Sequence, residues 1–469
     1  MSQTITVNPV TRLEGHAKIV LDVDDSGNVV RGHLQVLEIR GFEKLVERME
    51  LFKMPQIIAR ICGVCPAAHH LASVIAIENG LGIKPPEEAT LLRELLYLGH
   101  ILHSHTLSTF FLAGPDILMG IDAPPGARNI FSLLDLDAEL ARKVLRLRSI
   151  GQRTVEIVGG RGVHPVTAVP GGMAARPTRE KLEQIAGWGR EALVILDEVL
   201  PRVREHLSAL EELRQVAQLP PRSMGLSREG AVDFLAGDAI VVNGQGETER
   251  HFSAADYAEH LIEHVMPASY MKSVHLRGAE EINYFVGPLA RLNVNNFFCT
   301  PLANAALQEF HAKGRPRLSA LDYIEARLVE MLFCAERMVV IAAEELTEGL
   351  LRVSAEPKEG RYLGMVESPR GILIHDYTAD AEGRIREANL IVATQNNYDA
   401  IDATITAVAR HFIPMKNDNQ LMNGMEFALR CFDPCLSCAT HTAGRMPMEV
   451  LIRHEGGVLR TLSRGFADD

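Results

Sequence analysis

The stretch Arg60-Ile61-Cys62-Gly63-Val64-Cys65-Pro66-Ala67-Ala68-His69-His70 has a counterpart near the far end of the chain, Asp433-Pro434-Cys435-Leu436-Ser437-Cys438-Ala439-Thr440-His441. Each carries a Cys-x-x-Cys pair followed by histidine. On a helix or helical turn, positions i and i+3 share a face, so each pair can aim both sulfurs at one ion. His69 stands four residues beyond Cys65, and His441 three beyond Cys438. Thiolates are soft ligands, and four of them cage a soft or borderline metal. Spacing alone fits a structural four-cysteine zinc site, a catalytic metal or a set of redox dithiols. Zinc ribbons keep their pairs tens of residues apart, whereas hundreds separate these. That distance bears on the fold. A split into independent domains would leave each half-site open, so the chain reads as one large domain closed around the site.

Nearly half of the 469 residues are apolar (47%), enough for a large core. The net charge is −12 and no basic run occurs, which argues against a nucleic-acid partner and fits small substrates or protein partners. The first residues lack the basic and apolar regions of a secretory signal, and no run of 18 apolar residues suggests a membrane span. Seven cysteines, with two metal-like pairs, point to a reducing compartment rather than a disulfide framework, so the expected location is cytoplasmic.

Strand patterns flank the turn Ser26-Gly27-Asn28 and fill 371–396 around the turn at 380–383. The tail repeats the hairpin pattern over Met448–His454 and from Val458 onward. Pro85-Pro86-Glu87-Glu88 opens a helical period running to about Leu112. Segments near 133–158, 178–217, 253–267, 303–350 and 401–411 also read as helix. The expected class is therefore mainly α with small antiparallel β-sheets (α+β). His100, His103 and His105 do not share one helical face and suit packing and surface roles. Gly244-Gln245-Gly246 lacks the third glycine of a dinucleotide loop. Cys299, Cys334 and Cys431 read as buried small hydrophobes.

The residues around the cysteines resemble the paired motifs of nickel–iron hydrogenase large subunits. Four further stretches fit that family in order. They are Thr11-Arg12-Leu13-Glu14-Gly15-His16; Arg40-Gly41-Phe42-Glu43; Gly159-Gly160-Arg161 with His164-Pro165; and Ser368-Pro369-Arg370-Gly371. The resemblance implies a large single domain over 1–441 and heterolytic, reversible cleavage of H2. It also implies a nickel ion held by Cys62, Cys65, Cys435 and Cys438. Cys65 and Cys438 would bridge to an iron carrying carbon monoxide and cyanide. Cys435 is a candidate first base, and Glu14 would carry the proton onward. Arg370, beside Pro369, would lie over the metals, with Asp433 and Asp116 pairing with or positioning it. Arg60 and His69 would support the cofactor, His69 by donating to a bridging sulfur. Glu43, His441 and the carbonyl near Leu390 would hold magnesium.

The same resemblance implies that residues 442–469 form a maturation extension removed by an endopeptidase; otherwise they are a permanent C-terminal hairpin. The three cysteines outside the pairs do not make a set for iron–sulfur clusters, which need about four thiolates each, so electrons need an iron–sulfur small subunit. The short length and the wording of the first cysteine motif resemble cytoplasmic bidirectional enzymes, whose further subunits bind flavin and NAD(P). Enzymes linked to deazaflavin or heterodisulfide reductase, a hydrogen sensor and a structural zinc protein are the alternatives.

Overall fold

Strand β1 (Gln3–Val7) pairs antiparallel with β2 (Ala17–Val23), and β2 with β3 (Val29–Val36), across the turn Asp24–Asn28. A computed structural model of the chain describes residues 3–7, 10–39, 41–266, 269–279, 284–415, 417–440, 448–454 and 457–464. After this sheet comes α1 (Pro66–Leu81), which begins at a proline and ends on left-handed Gly82. The next helix, α2 (Glu87–Thr106), follows Pro86 with two glutamates in its first turn, where they suit the helix dipole. It runs on as a wide π-turn over Leu107–Leu112, where the sequence pattern also ends.

Helix α3 (Ala138–Gly159) is capped by the Asp137 carboxylate, which accepts from the amides of Glu139 and Leu140. Helix α4 (Arg179–Ser208) is capped by Thr178. Strands β4 (Arg222–Ser227), β5 (Asp238–Val242) and β6 (Thr248–Phe252) form an antiparallel sheet that the sequence reading missed. Gly244-Gln245-Gly246 is part of its β5–β6 turn. Helices α5 (Pro288–Val294) and α6 (Asp322–Val340), which bear on the site, come next. Helix α6 packs against α2 and α4 in the largest core, with α3 behind them.

A third sheet joins β7 (Gly360–Ser368), β8 (Gly371–Ala379) and β9 (Ile385–Ile391). Helix α7 (Tyr398–Phe412) lies on β3, and α8 (Asp418–Phe432) packs against α7. One short turn, α9 (Leu436–Ala439), carries the second cysteine pair. The tail forms a hairpin of β10 (Met448–His454) and β11 (Gly457–Arg464).

The mainly helical class with small sheets holds, and about half the chain is helix. Two expectations fail, and a third holds in part. Residues 253–267 make only short turns over Ala254–His260 before Leu261–His264 pairs as a strand with Ser273–Leu276. The stretch 303–350 is two helices broken near Gly314, not one run, because Gly314-Arg315-Pro316 interrupts the helical backbone. His100, His103 and His105 are all buried, so the packing role expected of them holds and the surface role does not. Among the described residues no helix is long and apolar enough to cross a membrane.

Candidate metal centre

Four sulfurs meet in the core. Cys62 Sγ lies 3.4 Å from Cys435 Sγ, and Cys65 Sγ lies 3.2 Å from Cys438 Sγ. Cys65 and Cys435 are 3.9 Å apart, Cys435 and Cys438 2.9 Å. All four ligand atoms fall within 4.8 Å of one another, and all four residues are buried. The local fold explains the convergence. Cys65 immediately precedes α1 and Cys435 immediately precedes α9, so each lies at the positive end of a helical segment. Cys62 is extended rather than helical, and the amide of Val64 donates to its sulfur at 3.2 Å. Each pair therefore offers its two sulfurs across a turn leading into helix, not along one helical face.

The donor set fits a soft metal. Burial pushes the Cys435 and Cys438 thiols up, while hydrogen bonds from Cys435, Cys438 and Cys62 hold the Cys65 sulfur well below the usual thiol range. Without a cation, four buried sulfurs share protons. A metal lets all four be thiolates at once.

Glu14 touches the cage directly. The Cys435 thiol donates to Glu14 Oε2 at 3.3 Å, and the Ser437 amide donates to the same oxygen at 2.9 Å. The Leu436 amide donates to the Glu14 carbonyl at 3.1 Å. Gly15 makes this approach possible. It has a φ of +86°, and a Cβ there would lie 2.8 Å from Leu436 Cβ.

Arg370 reaches the site from a tight hairpin. Ser368 and Gly371 are paired across β7–β8, leaving Pro369 and Arg370 as a two-residue turn. Gly371 has a φ of +130°, and a Cβ there would meet Val286 Cγ2 at 2.4 Å, so only glycine fits. Buried Arg370 donates from Nε to the Asp433 carbonyl at 2.6 Å and from Nη2 to the Asp433 carboxylate at 3.3 Å. Burial pushes the Asp433 carboxyl up, and Arg370 and Arg327 offset part of that rise. Asp433 itself adopts left-handed backbone at the end of α8, which turns the chain toward Cys435.

Asp116 stands elsewhere. Rather than pairing with Arg370, it binds Arg12 at 2.8 Å, Arg430 at 3.1 Å, and Arg128. It lies in the first turn of the helix Gly114–Met119. Burial would raise its carboxyl, but Arg430, Arg12 and Arg128 outweigh that and hold it below the usual range. Arg430 also binds the Thr11 carbonyl, so this cluster fixes the segment leading to Glu14. Arg60 is exposed and turns back to the Gln56 carbonyl. The Pro369 carbonyl accepts from Arg291 at 3.4 Å.

His69 Nε2 lies 3.3 Å from Cys438 Sγ. Glu43 sits on the short helix Phe42–Leu45, which packs against β9, the strand carrying buried Leu390. His441 and Arg40 lie outside the described residues. Cys334 and Cys431 are buried as expected, but Cys299 is exposed. Sequence reasoning missed Thr394, whose hydroxyl accepts from the Cys435 amide at 3.0 Å. It also missed Arg327 beside Asp433, and Arg291 under the hairpin. None of these lies in a short motif; only distance in space reveals them.

The family profile described as nickel-dependent hydrogenase matches residues 40–123 and 237–441. A profile described as HoxL-like matches residues 4–39. A curated relative from Methanococcus voltae, a subunit of its F420-non-reducing hydrogenase vhc, is 35% identical across 98% of this chain and 99% of its own length. The beta subunit of the NAD-reducing hydrogenase HoxS of Cupriavidus necator is 35% identical, again across 98% of this chain and 99% of its own length. A solved structure of an NAD+-reducing NiFe hydrogenase in the H2-reduced state is 34% identical. It superposes with a TM-score of 0.90, covering 94% of this chain and 99% of that one.

Proposed function

We propose how H2 is handled in this chain, which belongs to the nickel-dependent hydrogenase family and is an oxidoreductase acting on H2. The observation that carries the reading is the contact between Cys435 and Glu14 inside a four-sulfur cage. Cys62, Cys65, Cys435 and Cys438 would hold nickel, and Cys65 and Cys438 would also be shared with an iron carrying carbon monoxide and cyanide. When bound, this centre supplies the electron-rich Lewis acid at which H2 is polarised and split. The chain's own groups then manage the proton. Cys435 Sγ accepts it, and Glu14 Oε2, at 3.3 Å, takes it onward. Two backbone amides from α9 hold Glu14 in place, so the transfer needs no large movement.

Arg370 acts as a fixed positive charge over the site, since arginine does not readily give up its proton. Asp433 orients it. Asp116 acts further back, through the arginines that hold the Thr11–Glu14 segment. Arg60, at the edge of the first cysteine motif, and Pro369, in the hairpin, frame the cofactor. Glu43, the Leu390 carbonyl and His441 would bind magnesium; a carboxylate with a carbonyl suits that hard cation.

Electrons leave through an iron–sulfur small subunit and pass to NAD(P) through flavin-binding diaphorase subunits in the cytoplasm. The NAD-reducing relative and the NAD+-reducing structural neighbour support this acceptor. Residues 1–441 form the catalytic unit. An endopeptidase removes 442–469 after nickel insertion, letting His441 reach its ion. Metal analysis and infrared spectroscopy of the purified complex test the core of this reading. Nickel and iron near one each, with carbon monoxide and cyanide bands, are expected. Zinc alone would overturn it. H2-dependent reduction of NAD(P) by the complex tests the acceptor, and its absence would remove the diaphorase.

A further inference from the structure

A line of buried side chains runs from Cys438 into the β7–β9 sheet. His69 Nε2 meets Cys438 Sγ at 3.3 Å, and His69 Nδ1 meets His375 Nε2 at 3.1 Å. His375 Nδ1 meets the Tyr377 hydroxyl at 2.6 Å. His375 and Tyr377 are alternate residues of β8, so they share a face, and α1 packs on β7 and β8 to bring His69 to them. All three side chains are buried. Each ring nitrogen of both histidines has one partner in this line.

We propose that Tyr377 and His375 are positioning residues for the metal centre, fixing the tautomer of His69 so that its Nε2–H points at Cys438 Sγ. Direction follows from proton counting. A buried, neutral His375 carries one N–H. With the Tyr377 hydroxyl donating to His375 Nδ1, that N–H sits on Nε2 and donates to His69 Nδ1. His69 then has its own N–H on Nε2, facing the sulfur. In the reverse arrangement His69 Nδ1 is the donor to His375, and His69 Nε2 turns a lone pair toward a sulfur lone pair. A thiolate at Cys438 therefore selects the first arrangement, and Tyr377 holds it. This is the usual way an outer partner sets which histidine nitrogen bears the proton.

The consequence is electronic. Hydrogen bonding to a thiolate draws electron density from the sulfur and from any metal it binds. The inference rests on the reading of Cys438 as a ligand of an iron carrying carbon monoxide, which makes the effect measurable without turnover. Infrared spectra of the assembled complex are compared for the wild type, Tyr377→Phe, His375→Phe and His375→Gln. Loss of the line leaves iron richer in electrons, so the carbon monoxide band is expected to move to lower frequency in Tyr377→Phe and further in His375→Phe. His375→Gln, whose amide can still donate to His69, should recover part of the shift. Nickel and iron content should not change. Bands at the wild-type frequency in all variants, with only a lowered Tm, would overturn the inference and leave the metal reading intact. If His375→Phe does not assemble, Tyr377→Phe, which deletes one oxygen, decides alone. A wild type without carbon monoxide or cyanide bands would overturn the metal reading, and the inference with it.

Discussion

Two buried polar clusters flank the Ser368–Gly371 hairpin, and they are finished differently. Below it, Arg291 on α5 binds Glu330 through Nε and Nη2, both at 2.7 Å. Its Nη1 binds Glu367 at 2.7 Å and the Ser368 carbonyl at 3.0 Å. Every guanidinium nitrogen is used. At the hairpin tip, Arg370 Nη1 and Ser437 Oγ have no hydrogen-bond partner among the described residues, while Asp433 Oδ2 is paired only with Arg370 Nε, at 3.2 Å. Both clusters are fully inside the protein, where an unused polar group is costly. The closed cluster fixes geometry. The open one keeps capacity to bind, and Arg370 feels the charges of Cys435, Cys65 and Cys62. Breaking the open cluster should cost turnover; breaking the closed one should cost stability.

The largest effect tests that division at the cage. Cys435→Ser should drop H2 turnover to background and release nickel, while Tm stays close to that of the wild-type chain without metal. Dye-linked H2 oxidation and metal analysis read both. Retained activity would remove Cys435 from the ligand set. Next comes Glu14→Gln, which keeps the two amide bonds and loses the base. Metals should remain, and D2/H+ exchange should slow by roughly 10²–10⁴-fold, the usual contribution of a placed acid–base group. Unchanged exchange would send the proton by another route.

The paired substitution Arg291→Met and Arg370→Lys addresses the comparison itself. Removing Arg291 strands two buried carboxylates and should cost about 3–5 kcal/mol in urea unfolding. Arg370→Lys keeps the charge opposite Asp433 but loses the planar fork. It should leave stability nearly unchanged and slow turnover by about 10²-fold. If both variants lost stability alike, the open and closed clusters would not differ in role.

Much of the open cluster was legible because its groups sit in contiguous motifs. Cys-x-x-Cys, Leu13-Glu14-Gly15 and Ser368–Gly371 each place a functional side chain beside the glycine or proline that shapes its turn. Helix α2 was legible too, from Pro86 to the end of its apolar period. The closed cluster was not. Arg291, Glu330 and Glu367 lie on three separate elements, and no local pattern marks a charge that pairs only in the folded core. The same limit explains Asp116, whose three arginines at positions 12, 128 and 430 come from distant segments. The strand Leu261–His264 was read as helix because its short apolar run suits either period, and pairing with Ser273–Leu276 decides it.

The smallest effect concerns the one member of the closed cluster that titrates near neutrality. Arg291 spends two of its three nitrogens on Glu330. Burial opposes that charge, yet Arg291 and His105 outweigh it and hold the Glu330 carboxyl down at about 2. Glu367 receives only Nη1 from Arg291 and one amide from Leu226, and burial pushes it up to about 7 from an ordinary 4.5. The two carboxyls therefore act in opposite senses. Glu330 lends stability above pH 4.5 that is lost as pH falls toward 2. Glu367 binds more protons folded than unfolded between pH 4.5 and 7, so its contribution is complete below 4.5 and lost as pH rises through 7. A gap of that size is worth about 3 kcal/mol. Glu367→Gln, neutral at every pH, should remove this part of the slope. Urea unfolding of wild type and variant at pH 5 and pH 8 reads the difference, with common contributions cancelling. The variant should gain on the wild type by up to about 3 kcal/mol over that interval. Parallel behaviour would mean that Glu367 stays ionised beside Arg291, and that the closed cluster is closed in charge as well as in hydrogen bonds.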